Sequence, residues 1–95
     1  MKTRIAINGF GRIGRNLFRL LLNHPTIEVV AINDIADAKT MAHLLKYDSI
    51  HGVLSNDIKA DNEHIFVDEK AFLYFREQHI QNLNWKELQI DIVIE

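Results

Sequence analysis

Three glycines in six residues, Gly9, Gly11 and Gly14, separate an apolar run, Ile5-Ala6-Ile7, from a helical recurrence of Ile13, Leu17, Leu20 and Leu21. That order leaves few folds open, because a strand has to end, turn sharply and enter a helix within a handful of residues. Each glycine has its own physical reason to be there. Gly9 reaches a backbone angle that a Cβ forbids, Gly11 lets the main chain approach a pyrophosphate, and Gly14 lets helix and strand pack closely. The first N–H groups of the helix have no partner within it and face an anion.

A second run, Glu28-Val29-Val30-Ala31-Ile32, reads as the centre of a strand from Ile27 to Asn33, and Asp34 follows it, twenty residues after Gly14. A carboxylate at that strand end accepts hydrogen bonds from the adenosine ribose and repels a 2′-phosphate. The pattern therefore predicts NAD as cofactor in preference to NADP. Hydrogen bonds to a charged group contribute about 1.5–3 kcal/mol, so loss of Asp34 should weaken NAD binding by about one to two orders of magnitude.

The remaining chain fits an α/β fold. The first helix is predicted from about Gly11 to Asn23 and stops at His24-Pro25, since the residue before proline is pushed out of helical geometry. Its stripe is Ile13, Leu17, Leu20 and Leu21. A second helix starts at Asp37, a capping residue, and turns Ala38, Met41, Leu44 and Leu45 inward. Lys46 to Gly52 reads as a loop. Ile65-Phe66-Val67 and Ala71 to Phe75 form an antiparallel hairpin turning at Asp68 to Lys70. Asn82 to Trp85 is a short helical turn with Leu83 and Trp85 facing in, and Ile90 to Ile94 is a further buried parallel strand. A doubly wound sheet continues after such a strand, so the chain is expected to be part of a larger domain, with an exposed last strand that makes the piece marginally stable.

Ninety-five residues hold at most one domain, with no repeat or linker. The absence of cysteine excludes a disulfide framework, a thiolate metal site and a cysteine nucleophile within these residues. A net charge of −2 gives no reason to expect nucleic acid or an anionic membrane. The apolar run after Lys2 and Arg4 is one strand long, neither a signal peptide nor a membrane span, so a cytoplasmic location is expected. The five histidines, His24, His43, His51, His64 and His79, are scattered without metal-ligand spacing, and no metal site is expected. His43 and His51 read as packing or interface residues. Phe66, Phe72, Tyr74 and Phe75 could form a base-stacking platform, but without basic residues around them packing is the better reading.

The segments Asn8-Gly9-Phe10-Gly11-Arg12-Ile13-Gly14-Arg15, Asn33-Asp34 and Ala42-His43-Leu44-Leu45-Lys46-Tyr47-Asp48-Ser49 together resemble the N-terminal part of phosphorylating glyceraldehyde-3-phosphate dehydrogenases, and the likeness runs through Asn82-Leu83-Asn84-Trp85 to Asp91-Ile92-Val93-Ile94-Glu95. The resemblance implies a partial, truncated Rossmann-like parallel sheet with helices on its faces and a short antiparallel hairpin insertion, residues 1–95 being the N-terminal part of an NAD-binding domain. It implies cofactor contacts at Arg12 and Ile13 for the pyrophosphate, Asp34 for the adenine ribose and Arg76 near the adenine, with Asn8, Gly9, Phe10 and Gly11 lining the same pocket. Arg12 is also intelligible alone, since a cation in the first helical turn benefits from a nearby phosphate.

In that family a cysteine thiolate attacks the aldehyde, hydride passes to the nicotinamide and inorganic phosphate cleaves the thioester, in a cytoplasmic homotetramer. The family's cysteine and histidine lie later than Glu95. No catalytic residue is therefore assigned, glyceraldehyde 3-phosphate and phosphate are partners only of a complete enzyme, and the isolated 95 residues are expected to be inactive. Erythrose-4-phosphate dehydrogenase is similar in the glycine motif and in Ala-His-Leu-Leu-Lys-Tyr-Asp but tends toward glutamate at position 34, so Asp34 favours the glyceraldehyde phosphate enzyme. A stand-alone nucleotide-binding module without catalysis is the remaining alternative.

Overall fold

The computed structural model describes residues 2–48 and 52–95. Its main sheet has the strand order β5-β6-β7-β2-β1-β8. Strand β1 (Thr3–Asn8) leads through helix α1 (Arg12–Leu21) to β2 (Ile27–Asn33), which lies parallel to β1 with Asn8 opposite Asn33. Such a βαβ unit forms because both strands are nearly continuous in apolar residues and a parallel crossover needs a helix. Helix α2 (Ala38–Lys46) follows, capped by the Asp37 carboxylate, which accepts the Thr40 N–H at 2.7 Å.

After α2 the chain builds an antiparallel meander of β5 (Ile58–Ala60), β6 (His64–Val67) and β7 (Lys70–Phe75). β7 then pairs in parallel with β2, setting Phe75 opposite Asn33. The chain crosses back past a 3₁₀ turn at Ile80–Asn82, and β8 (Ile92–Ile94) adds in parallel to the other side of β1. Arg4 secures that return. Its guanidinium donates to the carbonyls of Leu88 at 3.0 Å and Gln89 at 3.2 Å, while its main-chain N–H donates to the Asp91 carboxylate at 2.8 Å.

The core lies where α1 and α2 meet the sheet. Phe18 is fully buried and meets Phe10 and Phe72 edge to face, with ring centroids 5.6 and 4.8 Å apart. Around it sit Ile5, Ile7, Ile32, Leu45 and Ile65.

The parallel sheet, the two helices and the hairpin follow the expected α/β order, and several details differ. The buried side of α1 is Gly14 and Phe18, whereas Ile13 and Leu20 are 86% and 71% exposed. Phe10, just outside the helix, extends the Phe18 side, and of the expected stripe Leu17 and Leu21 pack against the core while Ile13 and Leu20 face out. Leu44 is also exposed, because α2 packs through Ala38, Met41, Ala42 and Leu45. The hairpin gains a third strand, β5, and its turn is Asp68 and Glu69, with Lys70 already paired to Val67.

The expected loop from Lys46 to Gly52 is in part an antiparallel ribbon of β3 (Tyr47–Asp48) and β4 (Gly52–Val53). Residues 49–51, including His51, lie outside the described residues. The helical turn falls at Ile80–Asn82, ahead of the expected segment, and Leu83 and Trp85 are half-buried, the Trp85 ring edge-on to Phe75. β8 is parallel as expected but not buried. It is an edge strand, and Ile92 is 52% exposed.

Candidate functional site

Three strand ends and one helix start converge at the carboxyl edge of the parallel strands. β1 connects through α1 to β2 on one side, and β8 returns on the other, so the strand order reverses beside β1. In open α/β sheets, ligands bind outside the carboxyl ends of strands at such a reversal. Here a cavity of about 430 Å³ is lined by Asn8, Gly9, Gly11, Arg12, Ile13 and Ile94, among others. A second cavity, of about 230 Å³, lies across the glycine turn between Asn8, Asn33, Asp34, Ile35, Glu77 and Gln78.

The glycine turn has the expected geometry. Gly9 has a φ of +98°, in the region where a side chain is strained. A Cβ on Gly14 would collide with the Gly9 carbonyl oxygen, so α1 rests directly on the turn. A Cβ on Gly11 would meet no atom within 4 Å and would project into open space beside the helix start. Gly11 is the N-cap of α1 and offers no side-chain acceptor, and the first helical turn has no acidic residue. The leading N–H groups thus have neither a side-chain cap nor an acidic residue of their own turn competing for them, as an anion site requires.

Asp34 binds this turn directly. Its Oδ2 accepts the Phe10 N–H at 2.7 Å, and its Oδ1 accepts the Ala36 N–H at 3.0 Å. Two ionised oxygens offer about four acceptor positions, so two donors leave capacity for ribose hydroxyls. Phe10 is fixed further by the Arg15 guanidinium, which donates to its carbonyl at 3.0 Å, and by its ring, which is fully buried against Phe18. Phe10 consequently gives the site main chain only.

Arg12 and Ile13 stand exposed at the start of α1, and Arg12 makes no ion pair among the described residues. Asn8 accepts the Asn33 amide at 2.9 Å and donates to the Glu95 carboxylate at 3.4 Å. Arg76 sits behind the turn. Its Nε and Nη2 donate to the Ile35 carbonyl at 3.1 and 3.0 Å, and it does not line the Asp34 cavity.

Sequence reasoning missed the residue that joins these parts. Asn33 is 3% exposed, and all of its amide atoms are used. Its Nδ2 donates to Asn8 Oδ1 and to the Glu77 carbonyl, each at 2.9 Å, and its Oδ1 accepts the Glu77 N–H at 2.9 Å. The same residue's main-chain carbonyl accepts the Gly9 N–H at 2.7 Å. An asparagine closing an apolar strand was the available signal, since a buried amide needs partners. Glu77 and Gln78, which follow β7 at the same sheet edge, were likewise not anticipated.

Among the described residues, no group of three or more His, Cys, Asp or Glu side chains is placed to hold a metal ion, and no helix is long and apolar enough to cross a membrane.

A parallel sheet with a glycine turn at its reversal, an uncapped helix start and a carboxylate at the next strand end defines a Rossmann-like dinucleotide-binding domain. The family model described as glyceraldehyde 3-phosphate dehydrogenase, NAD binding domain, matches residues 3–95, and the chain belongs to that family. It is 50% identical over 95 residues to glyceraldehyde-3-phosphate dehydrogenase of Geobacillus stearothermophilus, covering 100% of this chain and 28% of that protein. It is 51% identical over 92 residues to glyceraldehyde-3-phosphate dehydrogenase of Mycoplasma pneumoniae, covering 97% of this chain and 27% of that one. The chain thus spans just over a quarter of the length of the curated relatives it matches. NAD is the cofactor of this domain family.

Proposed function

We propose that this chain is the N-terminal part of the NAD-binding domain of a glyceraldehyde-3-phosphate dehydrogenase subunit and holds the adenosine and pyrophosphate half of the cofactor. The observation that supports the reading is the bond from the Phe10 N–H to Asp34, because it ties the Asp34 carboxylate to the turn that opens into the uncapped start of α1. In this reading Gly11, Arg12 and Ile13 meet the pyrophosphate, and Gly9 and Asn8 form the floor of the pocket. Asp34 accepts the ribose hydroxyls, and Arg76 acts near the adenine through the Ile35 carbonyl. Bound NAD supplies a nicotinamide that accepts hydride.

The complete subunit oxidises glyceraldehyde 3-phosphate with uptake of inorganic phosphate, with its nucleophile and base on residues beyond these 95, in a cytoplasmic homotetramer. The reading is supported by the relatives' shared name and by the match along the whole chain. Its test is the phosphate-dependent reduction of NAD by the complete subunit with glyceraldehyde 3-phosphate and, separately, erythrose 4-phosphate. Faster turnover of the triose is expected. Preference for the tetrose, or no reduction with either, would overturn it.

A further inference from the structure

The turn that carries Asp34 is held from a second element, and the sequence of β7 explains how. Tyr74 points its hydroxyl at the end of that turn and donates to the Ala36 carbonyl at 2.7 Å. Tyr74 is 3% exposed, so the rest of the side chain is held in the core and the hydroxyl is fixed in place. Burial first, and the negative charge of Asp34 second, push the phenol's pKa above its ordinary value, which keeps it a proton donor. Ala36 is therefore gripped at both polar atoms, because its N–H donates to Asp34 Oδ1 at 3.0 Å. The series runs from the Tyr74 hydroxyl through Ala36 to the Asp34 carboxylate and on to the Phe10 N–H of the glycine turn.

We propose that Tyr74 is a positioning residue for Asp34, and that its hydroxyl sets how sharply the site separates an unphosphorylated adenosine ribose from one carrying a 2′-phosphate. This deepens the nucleotide-binding reading above and rests on it. A carboxylate held by two N–H donors presents its remaining acceptor positions in one geometry, which suits two ribose hydroxyls and repels a phosphate. Removal of the hydroxyl takes away the donor that holds the partly buried Ala36 carbonyl, so the turn loses its anchor to β7 and Asp34 moves with it. Hydroxyl recognition weakens, and so does the repulsion.

NAD and NADP are titrated against the complete subunit carrying Tyr74→Phe, Asp34→Ala, both substitutions or neither, with a thermal melt of each. Phenylalanine keeps the packed ring, so a folded protein is expected. Tyr74→Phe should lower the NAD-to-NADP affinity ratio about three- to tenfold, the span of one net hydrogen bond. In the Asp34→Ala background the same substitution should leave the ratio unchanged. Equal weakening of NAD and NADP in step with the melting temperature would mean a structural role only and would overturn the proposal. A ratio change that persists without Asp34 would overturn it too. If wild type binds neither dinucleotide, the nucleotide reading itself fails and the proposal falls with it.

Discussion

The Asp34 carboxylate lies 2.7 Å from the main-chain nitrogen of Phe10, so the end of β2 and the glycine turn after β1 are one structural piece. Asp34 therefore fixes the turn in addition to the ribose-binding role proposed for it. Asp34→Ala should weaken NAD binding by about one to two orders of magnitude, from about 1.5–3 kcal/mol of charged hydrogen bonding, and abolish the preference over NADP. It should also lower the melting temperature, since the Phe10 and Ala36 N–H groups lose their acceptor. Calorimetric titration and a melt of the same sample check both.

Gly11 and Gly14 should respond oppositely to the same substitution. Gly11 has a φ of −74° and open space where a Cβ would go, so Gly11→Ala should fold with unchanged or slightly raised stability. The added methyl would stand at the site proposed for the pyrophosphate, and NAD affinity should fall at least tenfold. Gly14→Ala drives a Cβ into the Gly9 carbonyl and should cost about 1–3 kcal/mol or more of stability before any ligand is added. Melting and binding curves for the two variants separate a ligand contact from a packing contact.

Phe18→Ala should unfold the domain. The ring is fully buried between Phe10 and Phe72, and such a deletion costs about 3–5 kcal/mol, a large share of the 5–15 kcal/mol that holds most domains together. Loss of the cooperative melt by circular dichroism is the expected result.

Asp37, Asp61 and Asp68 predict the acid response. Each titrates below the usual aspartate value of 3.8, chiefly because its carboxylate accepts a main-chain N–H, from Thr40, Glu63 and Asp57 respectively. A depressed folded value means the stabilisation is complete above 3.8 and is lost as pH falls through the lower folded values. Melting temperature should be insensitive to these groups near neutrality and drop below about pH 4. The three Asp→Asn changes combined should flatten that drop.

Much of this was legible in the residues. Glycine spacing located the turn, because Gly9 and Gly14 answer local backbone and packing demands that sequence exposes directly. The capping of α2 by Asp37 was local in the same way. What was not legible depends on contacts distant in sequence. Ile13 and Leu20 share a periodicity with Leu17 and Leu21, and nothing local says that the arc through Phe18 is the one that meets Phe72. Asn33 and Tyr74 owe their roles to Glu77 and Ala36, residues 44 and 38 positions away.

The central claim is that a nucleotide seats on the start of α1 with its ribose at Asp34. Amide chemical shifts of the isotope-labelled chain, followed by NMR during titration with AMP and then NAD, test it most directly. The largest shifts should fall on Gly11, Arg12, Ile13, Asp34 and Ile35, and Asp34→Ala should diminish them. Shifts centred instead on the cavity at the opposite end of the strands, beside Lys2, Glu28 and Lys70, would contradict the account, as would their absence at saturating ligand.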